Sequence, residues 1–352
     1  MSKQSKEGII GLIFKPQDSD PSNPRKGLSF VPSATHPDKD EGFLYVYDGT
    51  TWQKQSGTTG GGGSSTFPGT SDGFNAGGIV GGASVQNVVD KFAFSSNTVA
   101  ADHGDLSASR TDVSGQSSVT QGFSSGGNET SPLRVDTIDK FDFASNTTAA
   151  DHGNASQAKS AVAGSSSSTD GFISGGNTNP TRVSEIDKFD FASNTTAADH
   201  GDLNIATDYS SGQSSAIQGF SSGGYIPAAT ITIDKFDFAS NTTAADHGDI
   251  TVARGVFAGQ SSDTDGFASG GEASSDVIDK FDFASNTTAA DHGDLSVART
   301  WPTGQSSTTQ GFTSGGVSAN TTIDKFDYSS NTTAADHGDL SSGRGRSAGC
   351  QD

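Results

Sequence analysis

The sequence predicts an all-β fold, a ring of six four-stranded blades, and three observations predict it. One phrase is written six times: Ile or Val, Asp-Lys-Phe, a Ser-Asn turn, Asp-His-Gly, a variable stretch, then Gly-Phe and Gly-Gly. The aspartates of Asp-Lys-Phe are Asp90, Asp139, Asp187, Asp234, Asp279 and Asp324, so successive repeats are 49, 48, 47, 45 and 45 residues long. That period suits a four-stranded blade rather than a pair of helices. Finally, apolar residues alternate within short runs bounded by turn formers, the two-residue period of a strand.

Composition alone points elsewhere. Leu, Ile, Val and Phe make up 62 of 352 residues and the formal charge is −20, the region where disorder is expected. Periodicity overrides this, because stacked repeats bury a small apolar set regularly and Ser, Ala and Gly fill the narrow gaps between sheets. The acidic balance, 41 Asp and Glu against 21 Lys and Arg, excludes nucleic acid as a partner, since phosphate binding needs clustered cations. Cys350 is the single cysteine, so no internal disulfide can form. The apolar run at 8–14 is too short to span a membrane and lacks a secretory cleavage pattern, which predicts a chain made in a cytoplasm, without membrane insertion.

Residues 1–56 lie outside the repeat. There Phe43 to Tyr47 reads as a strand, Asp48-Gly49 as a hairpin turn and Thr50-Thr51-Trp52 as the returning strand,. The prolines Pro16, Pro21, Pro24, Pro32 and Pro37 make the rest irregular, and so small a module gains stability from a partner. Residues 57–65, with Gly60 to Gly63, read as a flexible linker or as a surface loop of the first blade,. Residues 66–352 form the ring.

Within the repeat spanning 158–199, strand a is expected at 160–166, b at 171–175, c at 184–191 and d at 195–199. On strand c, Phe189 and Phe191 share one face and Ile186 takes the other, as a sheet covered on both sides requires. The distance from Asp to His is 13 residues, as in Asp139 to His152, and from His to Gly-Gly it is 23, as in His152 to Gly175. All length variation therefore falls in the b–c loop. The first repeat opens on a strand b at Gly73-Phe74, while residues 345–350 align with the strand a at 255–260. The C-terminal strand should thus complete the first blade and remove its open edge. Strand order puts b–c and d–a loops on one face, and the linker and C-terminus on the other.

The chemistry is sparse. Asp-His-Gly carries His103, His152, His200, His247, His292 and His337, but each stands on its own blade, whereas a metal needs three or four converging ligands. These are read as turns ending strand d, with Asp accepting backbone bonds and Gly at positive φ. No blade gains a unique cluster of His, Cys, Tyr and acid, which argues against catalysis. The Gly-Gly pairs lack the Lys-Ser/Thr of a phosphate loop, and Asn-Thr-Thr reads as a turn. No metal, cofactor or catalytic residue is therefore expected. Candidate binding residues sit in the variable loops 128–137, 177–185 and 225–230: Glu129, Leu133, Arg134, Asn179, Arg182, Tyr225 and Ile226. Exposed loops on a rigid scaffold carry specificity, although relaxed constraint alone also explains their variation.

Gly126-Gly127 after strand b, Phe141-Asp142 ending strand c, the Ser-Asn turn and Ala253-Arg254 before strand a fall in the order of the kelch repeat, which residues 65–352 resemble. The resemblance implies a kelch-like six-bladed β-propeller and little about activity. It departs at Thr148, Thr196 and Thr288, where kelch repeats carry a strand-d Trp. Some kelch-like propellers are copper oxidases using Cys and Tyr, a role Cys350 is badly placed to fill. The segment from Leu44 to Trp52 is similar to pieces of bacteriophage tail and fibre proteins, and the Ile-Asp-Lys-Phe-Asp-Phe repeats look like those of marine cyanophage structural proteins. These resemblances imply a virion component. Its N-terminal module would bind other virion proteins, and its loops a host-surface glycan or protein; it could also be a homo-oligomer. A cellular protein-interaction propeller is the competing expectation, and a propeller enzyme the third.

Overall fold

In the computed structural model the chain divides into two compact units, Met1–Ser64 and Ser65–Asp352. The structure describes residues 69–352 except 130–132, 273–274 and 319, together with the strands Ser29–Phe30, Phe43–Tyr47 and Trp52–Thr58. In the smaller unit these three strands form one antiparallel sheet, with Tyr47 paired to Trp52. The two strands of the expected hairpin are paired, and its turn at Asp48-Gly49 lies outside the described residues. Its returning strand runs to Thr58, two residues into the expected linker, and the remainder of that linker lies outside the described residues.

Among its described residues the larger unit is all-β and propeller-like, with six four-stranded antiparallel sheets. The second comprises Ser114–Ser117, Gln121–Ser125, Thr137–Asp142 and Ala150–Asn154, strands a to d in order. The third has Ala163–Ser166, Asp170–Ser174, Glu185–Asp190 and Ala198–Asp202. The fourth, fifth and sixth repeat this from Ser211, Ala258 and Thr303. The first sheet takes Asp72–Ala76, Val88–Ala93 and Ala101–Asp105 from the start of the repeat region and Ala348–Gln351 from the end of the chain, pairing Cys350 with Phe74. Nearby, Arg344–Gly345 pairs with Ile79–Val80 in a small extra sheet.

Strands a to c match expectation to within three residues, but strand d begins three residues later than expected. It runs on through Asp-His-Gly by way of a bulge. Asp139 pairs with Asp151 and Thr137 with Asn154, so the paired positions differ in spacing on the two strands. Asp-His-Gly is therefore an irregularity inside strand d, not a turn that ends it. Gly153 still takes a positive φ, and its N–H donates to Asp151 Oδ1 at 2.9 Å, the local bond expected of the motif. Thr148, Thr196 and Thr288 precede strand d and are exposed, so they cannot do the packing work of a buried Trp.

Between sheets, the Gly-Phe phenyl of one strand b stacks on the second aromatic at the end of the next sheet's strand c. Phe123 meets Phe191 at 4.7 Å, Phe172 meets Phe238 at 4.6 Å, and Phe312 of the sixth sheet meets Phe94 of the first at 4.5 Å. Such pairs add about 0.5–1.5 kcal/mol each beyond buried area. The preceding glycine makes room within each sheet, because a Cβ on Gly122 would lie 2.3 Å from the ring of Phe141. Phe189 and Phe191 pack with Phe123 and Ile138 of the sheet before, while Ile186 packs with Phe172, Phe236 and Phe238. The two faces of strand c are as expected.

Candidate functional site

Each d–a segment passes over the start of its strand a through one residue at positive φ. These are Asp112, Ala161, Tyr209, Val256, Trp301 and Arg346, with φ of 57°, 58°, 55°, 59°, 63° and 60°. Their backbones bond in series. Ala161 N donates to Asp112 O at 3.0 Å, Tyr209 to Ala161 at 2.8 Å, Val256 to Tyr209 at 3.1 Å, Trp301 to Val256 at 2.9 Å and Arg346 to Trp301 at 3.1 Å. Asp112 N then donates to Arg346 O at 2.9 Å, returning the series to its start.

A cavity of about 160 Å³ lies among these residues and the six strands a. Deeper in, the glycines of strand a nearly touch: a Cβ on Gly212 would lie 1.9 Å from Gly164 O, and one on Gly349 would lie 2.1 Å from Gly304 O.

The six positions form a mouth whose side chains all differ. Left-handed backbone costs an L-residue about 1–2 kcal/mol, and a β-branched residue such as Val256 is the least suited to it. Glycine would relieve the strain at every position, yet none of the six is glycine. Strain held where a side chain is retained points to use of that side chain.

On one side of the mouth these side chains form a ladder. The Arg346 guanidinium lies 3.8 Å from the centroid of the Trp301 ring, with its Nη1 3.5 Å from Asp112 Oδ1. Tyr209 meets Trp301 edge-on at 4.7 Å and Tyr225 at 6.1 Å. Trp301, Tyr209, Tyr225 and Arg346 are all half-buried, whereas Asp112 is buried. Burial raises the Asp112 carboxyl above the usual range, opposed by Arg346 and by the Asn128 amide, which donates to Oδ2 at 3.0 Å. Burial also pushes the phenols of Tyr209 and Tyr225 up to about 12, with Asp112 adding to the first and Glu272 to the second. Both phenols are neutral hydroxyls at physiological pH. The mouth thus offers aromatic faces, a guanidinium, a carboxylate and two hydroxyls, a set suited to stacking and hydrogen bonding.

The loop residues singled out from sequence surround this mouth on the same face, as strand order requires. Asn128 pairs with Thr111, Asn177 with Ser160 and Tyr225 with Asp208 in bridges between b–c and d–a segments. Arg134 donates to Asn177 O at 2.7 Å and Oδ1 at 2.9 Å, and Arg182 pairs with Asp208 at 2.8 Å. Leu133 and Asn179 are exposed, and Glu129 N donates to Leu133 O within its own loop. Ile226 turns inward to line a small cavity beneath the fourth sheet's loop. Of the seven, Tyr225 joins the aromatic ladder, and Arg134 lies near enough to favour the charged forms of Asp112 and Tyr209. The six mouth residues were not singled out by sequence reasoning, although one signal was available: the second residue after each Arg, Lys or Thr of the d–a segment differs in every repeat.

None of the six histidines lines this cavity. His152 Nε2 lies 2.9 Å from Asp190 O of the next sheet, His292 lies 2.9 Å from Asp327 O, and His337 lies 2.9 Å from Ala93 O of the first. A ring N–H donated to each carbonyl ties sheet to sheet, and burial holds His247 and His337 below the ordinary imidazole range. Among the described residues no three His, Cys, Asp or Glu converge as metal ligands. Metal analysis of purified protein should find well under one equivalent of zinc, copper or nickel. An equivalent that is lost on His→Gln substitution would show that these rings are ligands instead. Among the described residues no helix is long and apolar enough to cross a membrane.

Compared with protein-family models the chain matches none, and no curated protein matches it either.

Proposed function

We propose that the chain is a non-enzymatic virion structural protein of the tail-fibre or appendage type. Its residues 66–352 would be a six-bladed kelch-like β-propeller closed by the C-terminal strand, presenting one face to a host-surface glycan or protein. Residues 1–56 are the anchor to other virion proteins. The virion assignment rests on the sequence resemblances, and the binding role rests on the mouth. Closure is supported by the strand Ala348–Gln351 in the first sheet, by the returning series of backbone bonds and by the stacking of Phe312 on Phe94.

One observation carries the binding role. Six near-identical repeats place six different side chains, each at strained positive φ, around a single cavity. A scaffold that only needed to fold would repeat one residue there, or use glycine.

Trp301→Ala and Tyr209→Ala should each weaken attachment to host cells at least about tenfold, the loss of one central anchor, while thermal unfolding shifts little. Replacing loops 128–137, 177–185 and 225–230 by the short loop 272–277 should also preserve folding, since loop length costs only fractions of a kcal/mol to about 1 kcal/mol. Unchanged attachment in all these variants would remove the face from consideration. Particle incorporation of a chain lacking residues 1–56 would do the same for the anchor.

A further inference from the structure

Every Asp of Asp-Lys-Phe is buried, and in five sheets a cation from the d–a segment reaches it. Arg110 pairs with Asp139 at 2.6 Å, Lys159 with Asp187 at 3.2 Å, Arg254 with Asp279 at 2.9 Å, Arg299 with Asp324 at 2.6 Å and Arg344 with Asp90 at 3.1 Å. In the fourth sheet the equivalent residue is Thr207, and no described cation pairs with Asp234. Asp234 is 5% exposed; its Oδ2 accepts the N–H of Asn204 at 3.0 Å, the Ile205 backbone N–H also favours its charged form, and its Oδ1 has no hydrogen-bond partner among the described residues. Thr207 turns its hydroxyl to Ile205 O at 2.9 Å. Between Thr207 and Asp234 lies a cavity of about 10 Å³, also lined by Ser221, Gly223, Thr230 and Thr232 and, on its apolar side, by Ile205 and Ile226, about the room that one water-sized species needs.

The surroundings are built for positive charge. Arg110 Nη1 donates to Gly126 O at 3.1 Å and Thr137 O at 2.8 Å, and its Nη2 to Ser124 O at 3.4 Å. By register Ser221, Gly223 and Thr232 hold the same places in the fourth sheet. Carbonyl oxygens that elsewhere face a guanidinium here border the cavity with a carboxylate. We propose that this cavity is a binding site for one small monovalent cation of sodium, potassium or ammonium size, held by Asp234 and the surrounding oxygens in place of the missing side chain. One carboxylate in a low-dielectric site is balanced by one positive charge, and an opening this small cannot admit the hydration shell that magnesium retains.

Thermal midpoints at neutral pH and equal ionic strength test this, using sodium, potassium, ammonium and choline chlorides. At least one of the small cations should raise the midpoint by about 2 °C or more over choline, which is too large to enter. The advantage should vanish in Thr207→Arg, where the new guanidinium takes the site, and in Asp234→Asn, where the charge is gone. Either variant alone suffices if the other fails to fold. Equal midpoints in all four salts, or a cation advantage that survives in a folded variant, would overturn the proposal.

Discussion

Arg110→Ala is expected to cost the fold about 3–5 kcal/mol, the penalty for stranding one member of a buried ion pair. Arg110 and Asp139 are both fully buried, and the guanidinium also bonds three carbonyls of its sheet. Removing it leaves a carboxylate that water cannot reach. The companion change Asp139→Asn in the same chain should recover most of the loss, because the uncompensated charge then disappears. Urea unfolding midpoints compare the two. A single variant within about 1 kcal/mol of the parent would mean that the pair does not hold the d–a segment.

Thr207→Arg should act in the opposite direction. Burial pushes the Asp234 carboxyl up to about 6 from its ordinary 3.8. A carboxyl raised on folding supports the fold at low pH, and that support is lost as pH rises through the folded value. In a buffer of large organic cations, the gain from an arginine at 207 should therefore appear above about pH 6 and fade below it. Equal gains at pH 5 and pH 7.5 would contradict this linkage.

Deleting residues 345–352 is expected to abolish cooperative unfolding or to cause aggregation. The deletion removes Ala348–Gln351, leaving the ladder edge of Asp72–Ala76 unpaired,. Arg346, which bonds both Trp301 and Asp112, is lost with it, as is Asp352, whose carboxylate accepts from Ser71 and Asp72. So many contacts from one short segment are comparable with the whole stability of a domain, about 5–15 kcal/mol. Calorimetry decides the matter, and a truncated chain that melts as one sharp transition at the parent's temperature would show that the terminal strand is dispensable.

The repeat, the order of strands a to c, the two faces of Glu185–Asp190 and the pairing of the last strand with the first sheet could all be read in the sequence. Each follows from local alternation or from phase, and the six copies reinforce one another. Strand d was misplaced because the Asp-His-Gly irregularity is defined against a partner strand: Asp151 and Asn154 acquire their register only opposite Asp139 and Thr137. In the sequence the mouth shows only as a position of changing identity, whereas the variation in length lies in the b–c loops. That Asp112, Tyr209, Trp301 and Arg346 meet depends on backbone bonds between residues 45 to 49 apart in sequence and, for Asp112 and Arg346, 234 apart, which no single repeat encodes. The carboxylate of Asp234 is similar. Its Asp-Lys-Phe reads like the other five, and only the tertiary structure brings it to Thr207, where burial without a counter-charge makes it different.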